Sequence, residues 1–239
     1  MDRIAQYISH RGLASRRIAE DWITKGRIKI NGLVTTNLAT KVKERDKVYL
    51  DNILIKNSIN TRLFLFNKPR GVITTHNDPK GRLKVYDFFP DKIKAKESGL
   101  LNSIGRLDYN SQGLILLTND IRLKSFLEKP NSKIKRRYKV RVRGIINQEL
   151  INKIFKGVKI NGYNYTPLNI SILNSSKSNT WLEIILTEGK NREIRRLLSK
   201  YGIMISKLIR TEYGPYKLNK IPIGSFKETI INKNLKYHY

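Results

Sequence analysis

The chain has 239 residues, with 48 Lys and Arg against 19 Asp and Glu and a formal net charge of +29. It contains no cysteine, which excludes a disulfide scaffold, a thiol nucleophile and a cysteine-based metal centre. His10, His76 and His238 are too scattered to form a histidine-based one. A charge this positive attracts polyanions. Nucleic acid ranks ahead of an anionic membrane surface, because the sequence shows neither a basic amphipathic helix nor a terminal polybasic tail.

Met1 is not followed by an apolar segment of the signal-peptide kind, and no apolar run approaches the roughly 20 residues of a membrane span. A soluble, cytoplasmic protein is therefore expected. The length suits one large domain or two, one of them small.

Residues 1–58 read as a small unit of their own. Ile4 and Ile8 give a short amphipathic turn around Arg3–Ser9, stopped by Gly12. Ser15 can cap a helix over Arg16–Thr24, with Ile18, Trp22 and Ile23 inward. Arg27–Ile30 alternates as a strand before the hairpin signal Asn31-Gly32, and Val48–Leu50 and Ile53–Ile55 flank a second hairpin at Asp51-Asn52. Residues 59–62 are a polar linker, and a second domain runs over 63–239.

Within that second part, Leu63–Phe66 reads as a buried strand, Lys68–Gly71 as a turn and Val72–Thr75 as another strand. Residues 76–99 look irregular. Gly113–Thr118, the alternating Tyr138, Val140 and Val142, Trp181–Leu186 and Ile203–Ile209 are strand-like. Leu150, Ile151, Ile154 and Phe155 have helical spacing, and Asn191–Tyr201 is amphipathic with Ile194, Leu197, Leu198 and Tyr201 inward. Strands outnumber helices without a regular βαβ rhythm. The expected class is α+β: a small helix-helix-hairpin module followed by a mainly antiparallel mixed-sheet domain.

Arg11, Arg16, Arg17, Lys25, Arg27 and Lys29 gather around the first helices and strand. A solvated basic face is the bland explanation; in a chain at +29, RNA contact is favoured over it. The pattern Ile4…Gly12-Leu13-Ala14-Ser15-Arg16-Arg17…Ile23…Gly26-Arg27-Ile28…Asn31-Gly32 resembles the alpha-L RNA-binding domain of a small-subunit ribosomal protein, which is also attached to several RNA-modifying enzymes.

Chemistry is suggested by Gly105-Arg106-Leu107-Asp108, a carboxylate beside an arginine and just before an apolar strand. A lone Asp there usually closes a turn. The blocks that accompany it are more specific. Asn67-Lys68-Pro69-Arg70-Gly71, Gly105–Asp108 with Gly113-Leu114 and Leu117–Asp120, Lys135–Tyr138, Glu188–Leu197 and Arg210…Tyr213-Gly214-Pro215 occur in this order. Together they resemble the RsuA/RluB family of ribosomal RNA pseudouridine synthases over nearly the whole chain.

The resemblance implies an isomerase that cuts uracil from its ribose, turns it over and rejoins it through carbon five, without metal or cofactor. It implies ribosomal RNA as partner, in a structured stem-loop or an assembly intermediate, no membrane, and a monomer. Asp108 matches the catalytic aspartate, Arg195 the arginine that pairs with it, and Tyr138 the active-site tyrosine. A carboxylate can stabilise positive charge on the sugar, attack the anomeric carbon or remove a sugar proton, and these roles stay open. From the residues alone, Arg195 is equally a surface helix arginine and Tyr138 a core tyrosine.

Arg106 is assigned to fill the space left by a flipped uridine, and Lys68, Lys190 and Arg192 to RNA contact, with a structural role as the alternative for Lys68. Four residues depart from the family pattern: Ile121 in place of Gly, Leu83-Lys84 in place of Pro-Thr, and Arg137 in place of Thr. The blocks Asn77–Arg82 and Thr187–Glu193 look closer to the large-subunit branch than to the small-subunit one. The rivals are a small-subunit enzyme and a non-catalytic RNA-binding assembly factor. A nucleic-acid glycosidase is weaker, since no second carboxylate stands in a motif with Asp108.

Overall fold

The computed structural model of the chain describes residues 1–55, 60–94 and 100–235. By packing it divides into two compact units. One comprises Met1–Leu63 with Phe89–Asn102 and Thr118–Ser125; the other comprises Phe64–Phe88, Ser103–Leu117 and Phe126–Tyr239. The expected linker starts at Ile59, which lies outside the described residues.

The first unit contains β1 (Asp2–Arg3), α1 (Ile4–His10), α2 (Arg16–Thr24), β2 (Ile28–Ile30), β3 (Leu33–Val34), β4 (Lys41–Val42), β5 (Val48–Leu50) and β6 (Ile53–Leu54). The Ser15 hydroxyl caps α2 by accepting the Ile18 N–H at 3.3 Å. Asn31 and Gly32, and again Asp51 and Asn52, hold the paired positive φ angles of two-residue hairpins, so the four strands line up as β3-β2-β5-β6. Ile4, Ile8, Ala19, Ile23, Ile28 and Val48 form a core with no exposure. Ile18 departs from the expected inward set: it is 47% exposed and Ala19 takes the buried place, because the small methyl lets α2 approach its partners closely.

The remaining elements are β7 (Leu63–Lys68), α3 (Asp91–Lys94), β8 (Asn102–Ile104), β9 (Gln112–Thr118), α4 (Ile121–Glu128), β10 (Arg136–Arg143), α5 (Gln148–Phe155), β11 (Val158–Ile160), β12 (Tyr163–Tyr165), β13 (Asn169–Ser175), β14 (Asn179–Leu186), α6 (Glu193–Ser199), β15 (Ile205–Tyr213), β16 (Tyr216–Lys217) and β17 (Phe226–Thr229). Among the described residues, a nine-stranded sheet runs β13-β14-β10-β15-β9-β7-β17, with β16 added to β15 and β8 to β9. This is the expected α+β, antiparallel-rich class.

Strand β10 pairs antiparallel with both neighbours, placing Tyr138 opposite Ile184 on one side and Arg210 on the other. Its alternation buries Arg136, Tyr138, Val140 and Val142 and turns Lys139, Arg141 and Arg143 out. β9, buried from Gly113 to Thr118 and apolar over Leu114–Leu117, runs parallel to β15, with Gly113 beside Arg210.

The expected strand over Val72–Thr75 is not formed. Ile73 makes a single bridge to Lys84. Ile73 donates its N–H to the Leu83 carbonyl at 3.0 Å and accepts the Val85 N–H at 2.9 Å, while the Thr74 hydroxyl donates to the Leu107 carbonyl at 3.1 Å and, just before the segment, the Gly71 N–H donates to the Tyr109 carbonyl at 2.9 Å. What looks like a strand is a brace for the loop before β9.

Gly113 combines a φ of +101° with a site where an added Cβ would lie 2.3 Å from the Arg210 carbonyl oxygen. Gly113→Ala is expected to destabilise the fold by more than about 2 kcal/mol, measured by urea unfolding; a loss below about 0.5 kcal/mol would refute the close β9–β15 approach.

Candidate active site

The site is built from the end of β7, the loop 105–111 and the start of α6. Lys68 closes β7 and is fully buried. Its ammonium donates to the carbonyls of Pro69 at 3.0 Å, Asp108 at 3.1 Å and Ser111 at 2.8 Å. Three hydrogens meet three acceptors, which satisfies a buried cation completely. Burial pushes this ammonium down to about 8, with the Asp108 charge opposing the shift and Arg210 adding to it. This corrects the RNA contact expected of Lys68: its ammonium is buried on these three carbonyls and supports the Asp108 turn, which is the structural alternative.

With Gly71, Thr74 and Lys68 holding its backbone, the loop presents Asp108, whose side chain is 33% exposed. One carboxylate oxygen, Oδ2, faces two guanidiniums: Arg192 Nη1 donates to it at 3.3 Å, and Arg195 Nε forms an ion pair at 3.6 Å. Oδ1 has no partner among the described residues.

Arg195 also donates through Nη2 to the Asn110 carbonyl at 3.2 Å. Burial, chiefly, and Arg192 next push its guanidinium below the ordinary arginine range. Arg192 holds left-handed backbone angles, φ 51° and ψ 36°, at the start of α6. That conformation is costly for a side chain with a Cβ and here aims the guanidinium at the carboxylate. Glu193, buried and pushed up by desolvation, accepts the Lys190 N–H at 3.0 Å and closes the turn between them.

The structure therefore joins Asp108, Arg195 and Lys68, and adds Arg192 to the carboxylate, where the sequence assigns it only to RNA. Tyr138 is 8% exposed on β10, and no hydrogen bond joins it to Asp108 among the described residues. Arg106 is exposed, with no side-chain partner among the described residues. Lys190 donates to the Asn164 carbonyl at 2.8 Å and pairs with Glu188 at 2.5 Å.

In the first unit, the Arg11 guanidinium lies 3.3 Å over the Tyr7 ring. Arg16 pairs with Glu20, Lys25 with Asp21 and Arg27 with Asp51, while Arg17 is exposed.

Arg210 escapes the sequence reading as a site residue. It is 2% exposed, donates through Nε to the Leu114 carbonyl at 2.7 Å, and leaves Nη2 buried without a hydrogen bond. With Arg136 it flanks the buried Tyr213 ring, the two guanidiniums lying 5.0 and 4.8 Å from its centre. The available signal is a charge at an inward position of a strand, in step with Leu208.

Residues 62–200 match the RNA pseudouridylate synthase family, and residues 2–48 match the S4 domain. An uncharacterised RNA pseudouridine synthase of Rickettsia typhi is 43% identical over 236 residues, covering 99% of this chain and 94% of the relative. The ribosomal large subunit pseudouridine synthase B of Bacillus subtilis is 35% identical over 233 residues, covering 95% of this chain and 92% of the relative. A solved structure described as a pseudouridylate synthase superposes with a TM-score of 0.66 over 96% of both chains at 21% identity, which shows a shared fold.

Lys68 carries a pH prediction. Its folded value of about 8 lies below the ordinary 10.5, so between those values the unfolded chain binds more protons. Its contribution to stability therefore rises with pH through that window. Urea unfolding of wild type and Lys68→Met at about pH 7.5 and about pH 9.5 is expected to show the difference shifting toward wild type at the higher pH. An unchanged difference would refute the depressed ammonium.

Proposed function

The chain belongs to the RNA pseudouridylate synthase family, is of the RsuA/RluB type with an S4 module, and acts on RNA; from that premise we propose that it isomerises one uridine of large-subunit ribosomal RNA with Asp108 as the catalytic carboxylate. The observation that carries this reading is a partly exposed carboxylate held between Arg192 and Arg195 in a chain at +29. Binding RNA does not call for a carboxylate in a basic cleft, because it repels phosphates. Glycosidic cleavage does, because positive charge develops on the ribose.

The two guanidiniums engage Oδ2 and leave Oδ1 to face the sugar. Whether that oxygen bonds the anomeric carbon or takes a sugar proton, the fixed loop sets its direction before substrate arrives. The target uridine leaves its stack at a cost of a few kcal/mol. Exposed Arg106 is assigned to the vacated place and Tyr138 to the face of the uracil. Lys190, Arg192 and the basic residues Arg11, Arg16, Arg17, Lys25 and Arg27 are assigned to phosphates. Arg192, half-exposed, serves both carboxylate and phosphate. The large-subunit assignment draws on the name of the Bacillus subtilis relative and on the blocks Asn77–Arg82 and Thr187–Glu193.

Pseudouridine mapping on both ribosomal RNAs, protein-free and in assembling particles, tests this. One new large-subunit site with wild type and none with Asp108→Asn is expected. Activity retained by Asp108→Asn would overturn the assignment of the carboxylate, and a site only in small-subunit RNA would overturn the target.

Arg195→Ala is expected to lower kcat about a hundredfold, since it removes both an ion-pair partner and a brace of the loop. Arg192→Ala is expected to cost less, because its side chain braces no backbone. The reverse order in single-turnover rates would refute the division of labour.

A further inference from the structure

The ribbon β11–β12 takes no part in the chemistry described above, yet it is built as a rigid projection. Val158 pairs with Tyr165, Lys159 with Asn164 and Ile160 with Tyr163, around a left-handed Asn161-Gly162 turn. At its base the fold requires Gly157, where an added Cβ would lie 2.4 Å from the Thr166 hydroxyl.

The ribbon is fastened to the segment that leads into α6 and carries Arg192 and Arg195. Lys190 donates to the Asn164 carbonyl at 2.8 Å and Arg196 donates to the Tyr165 hydroxyl at 3.0 Å. Tyr165 is 2% exposed beneath these cations. Residues two apart on a strand share a face, so Tyr163 stands on the same face as Tyr165, one pleat along, and there it is 62% exposed. Residues 156–168 include Lys156 and Lys159 and no carboxylate. The carboxylates nearby are both engaged, Glu188 with Lys190 and Glu193 with the Lys190 N–H.

An exposed ring on a ribbon fastened to the segment that carries Arg192 and Arg195, on the same face as the Tyr165 hydroxyl that the exposed Arg196 guanidinium meets, has the ingredients of a base-stacking platform: a π face, phosphate-neutralising charge and little conformational freedom to lose on binding. We propose that β11–β12 is an RNA-contacting element in which Tyr163 stacks on an unpaired base of the substrate RNA other than the target uridine, with Arg196 meeting the adjoining phosphate. This rests on the reading of the chain as an RNA-modifying enzyme. It adds a contact that selects which uridine is presented to Asp108.

The test compares wild type, Tyr163→Ala and Tyr163→Phe, each also in the Asp108→Asn background for binding to the ribosomal RNA alone. Tyr163→Ala is expected to weaken binding and raise KM about tenfold, with kcat changed far less, while Tyr163→Phe keeps wild-type values because the π face remains. If wild type modifies RNA and Tyr163→Ala binds and turns over equally well, the platform is overturned and the enzymatic reading stands. If no RNA is modified but Tyr163→Ala still weakens binding, the platform stands and the enzymatic reading falls. Loss of self-association in Tyr163→Ala without loss of RNA binding would overturn the proposal in favour of contact with a second copy of the chain.

Discussion

Beneath the Asp108 turn, one ammonium group meets three carbonyl oxygens with its three hydrogens. The loop that carries Asp108 is fastened to β7 by this contact. The turn reverses direction between a buried strand and an exposed carboxylate, so its carbonyls point into a region that water does not reach. An apolar side chain at residue 68 would take the donor from the Pro69 and Ser111 carbonyls and leave the Asp108 carbonyl with the Ser111 N–H alone. An arginine would offer a planar fork where the acceptors surround a point. Gly71, Thr74 and Arg195 then grip the same turn through the Tyr109, Leu107 and Asn110 carbonyls. The backbone's hydrogen-bonding capacity is used inward, and the Asp108 carboxylate is left facing Arg192 and Arg195.

The charge of the chain makes that carboxylate unusual. Elsewhere Asp51 pairs with Arg27, Asp78 with Arg82 and Glu149 with Lys153, while Glu183 and Glu212 share Arg137. Asp108 faces two guanidiniums and contacts them through one oxygen only. The net local charge stays positive, so a phosphate backbone can approach a site that contains a carboxylate. The left-handed backbone at Arg192 gains its sense here: the strain places a second cation where an ordinary helix start would point it away.

Much of this was legible where the signals are local. The Ser15 cap, the Asn31-Gly32 and Asp51-Asn52 turns and the alternation of Tyr138, Val140 and Val142 depend on neighbours in sequence, and each forms as expected. Val72–Thr75 misleads because its β-branched residues favour a strand, whereas its backbone meets residues 83–85 in a single bridge and its Thr74 hydroxyl turns to the loop at 105–111. Helix α4 went unread although Asp120 caps it, accepting the Arg122 N–H at 2.8 Å, because the apolar run before it draws attention to a strand. Lys68 and Arg210 resist reading for a different reason: hydropathy places charges outside, and only the fold supplies the carbonyls and the Tyr213 ring that let them stay in. Pairing Asp108 with Arg195 needed the family pattern, whereas the addition of Arg192 needed coordinates.

The parallel contact of β9 with β15, Gly113 against Arg210, has a consequence for how the protein comes into being. The loop that presents Asp108 is followed by a strand whose neighbour lies nearly a hundred positions later in the chain, and the arginines at the carboxylate also come from the later part. Such long-range closure is slow and waits on the distant segment. On a translating ribosome, where early segments fold as they emerge, the first module can close its own core while the aspartate loop still lacks its neighbours. Under the proposed function, a nascent chain holds RNA before it acts on it, and chemical competence arrives once residues through β15 have been made.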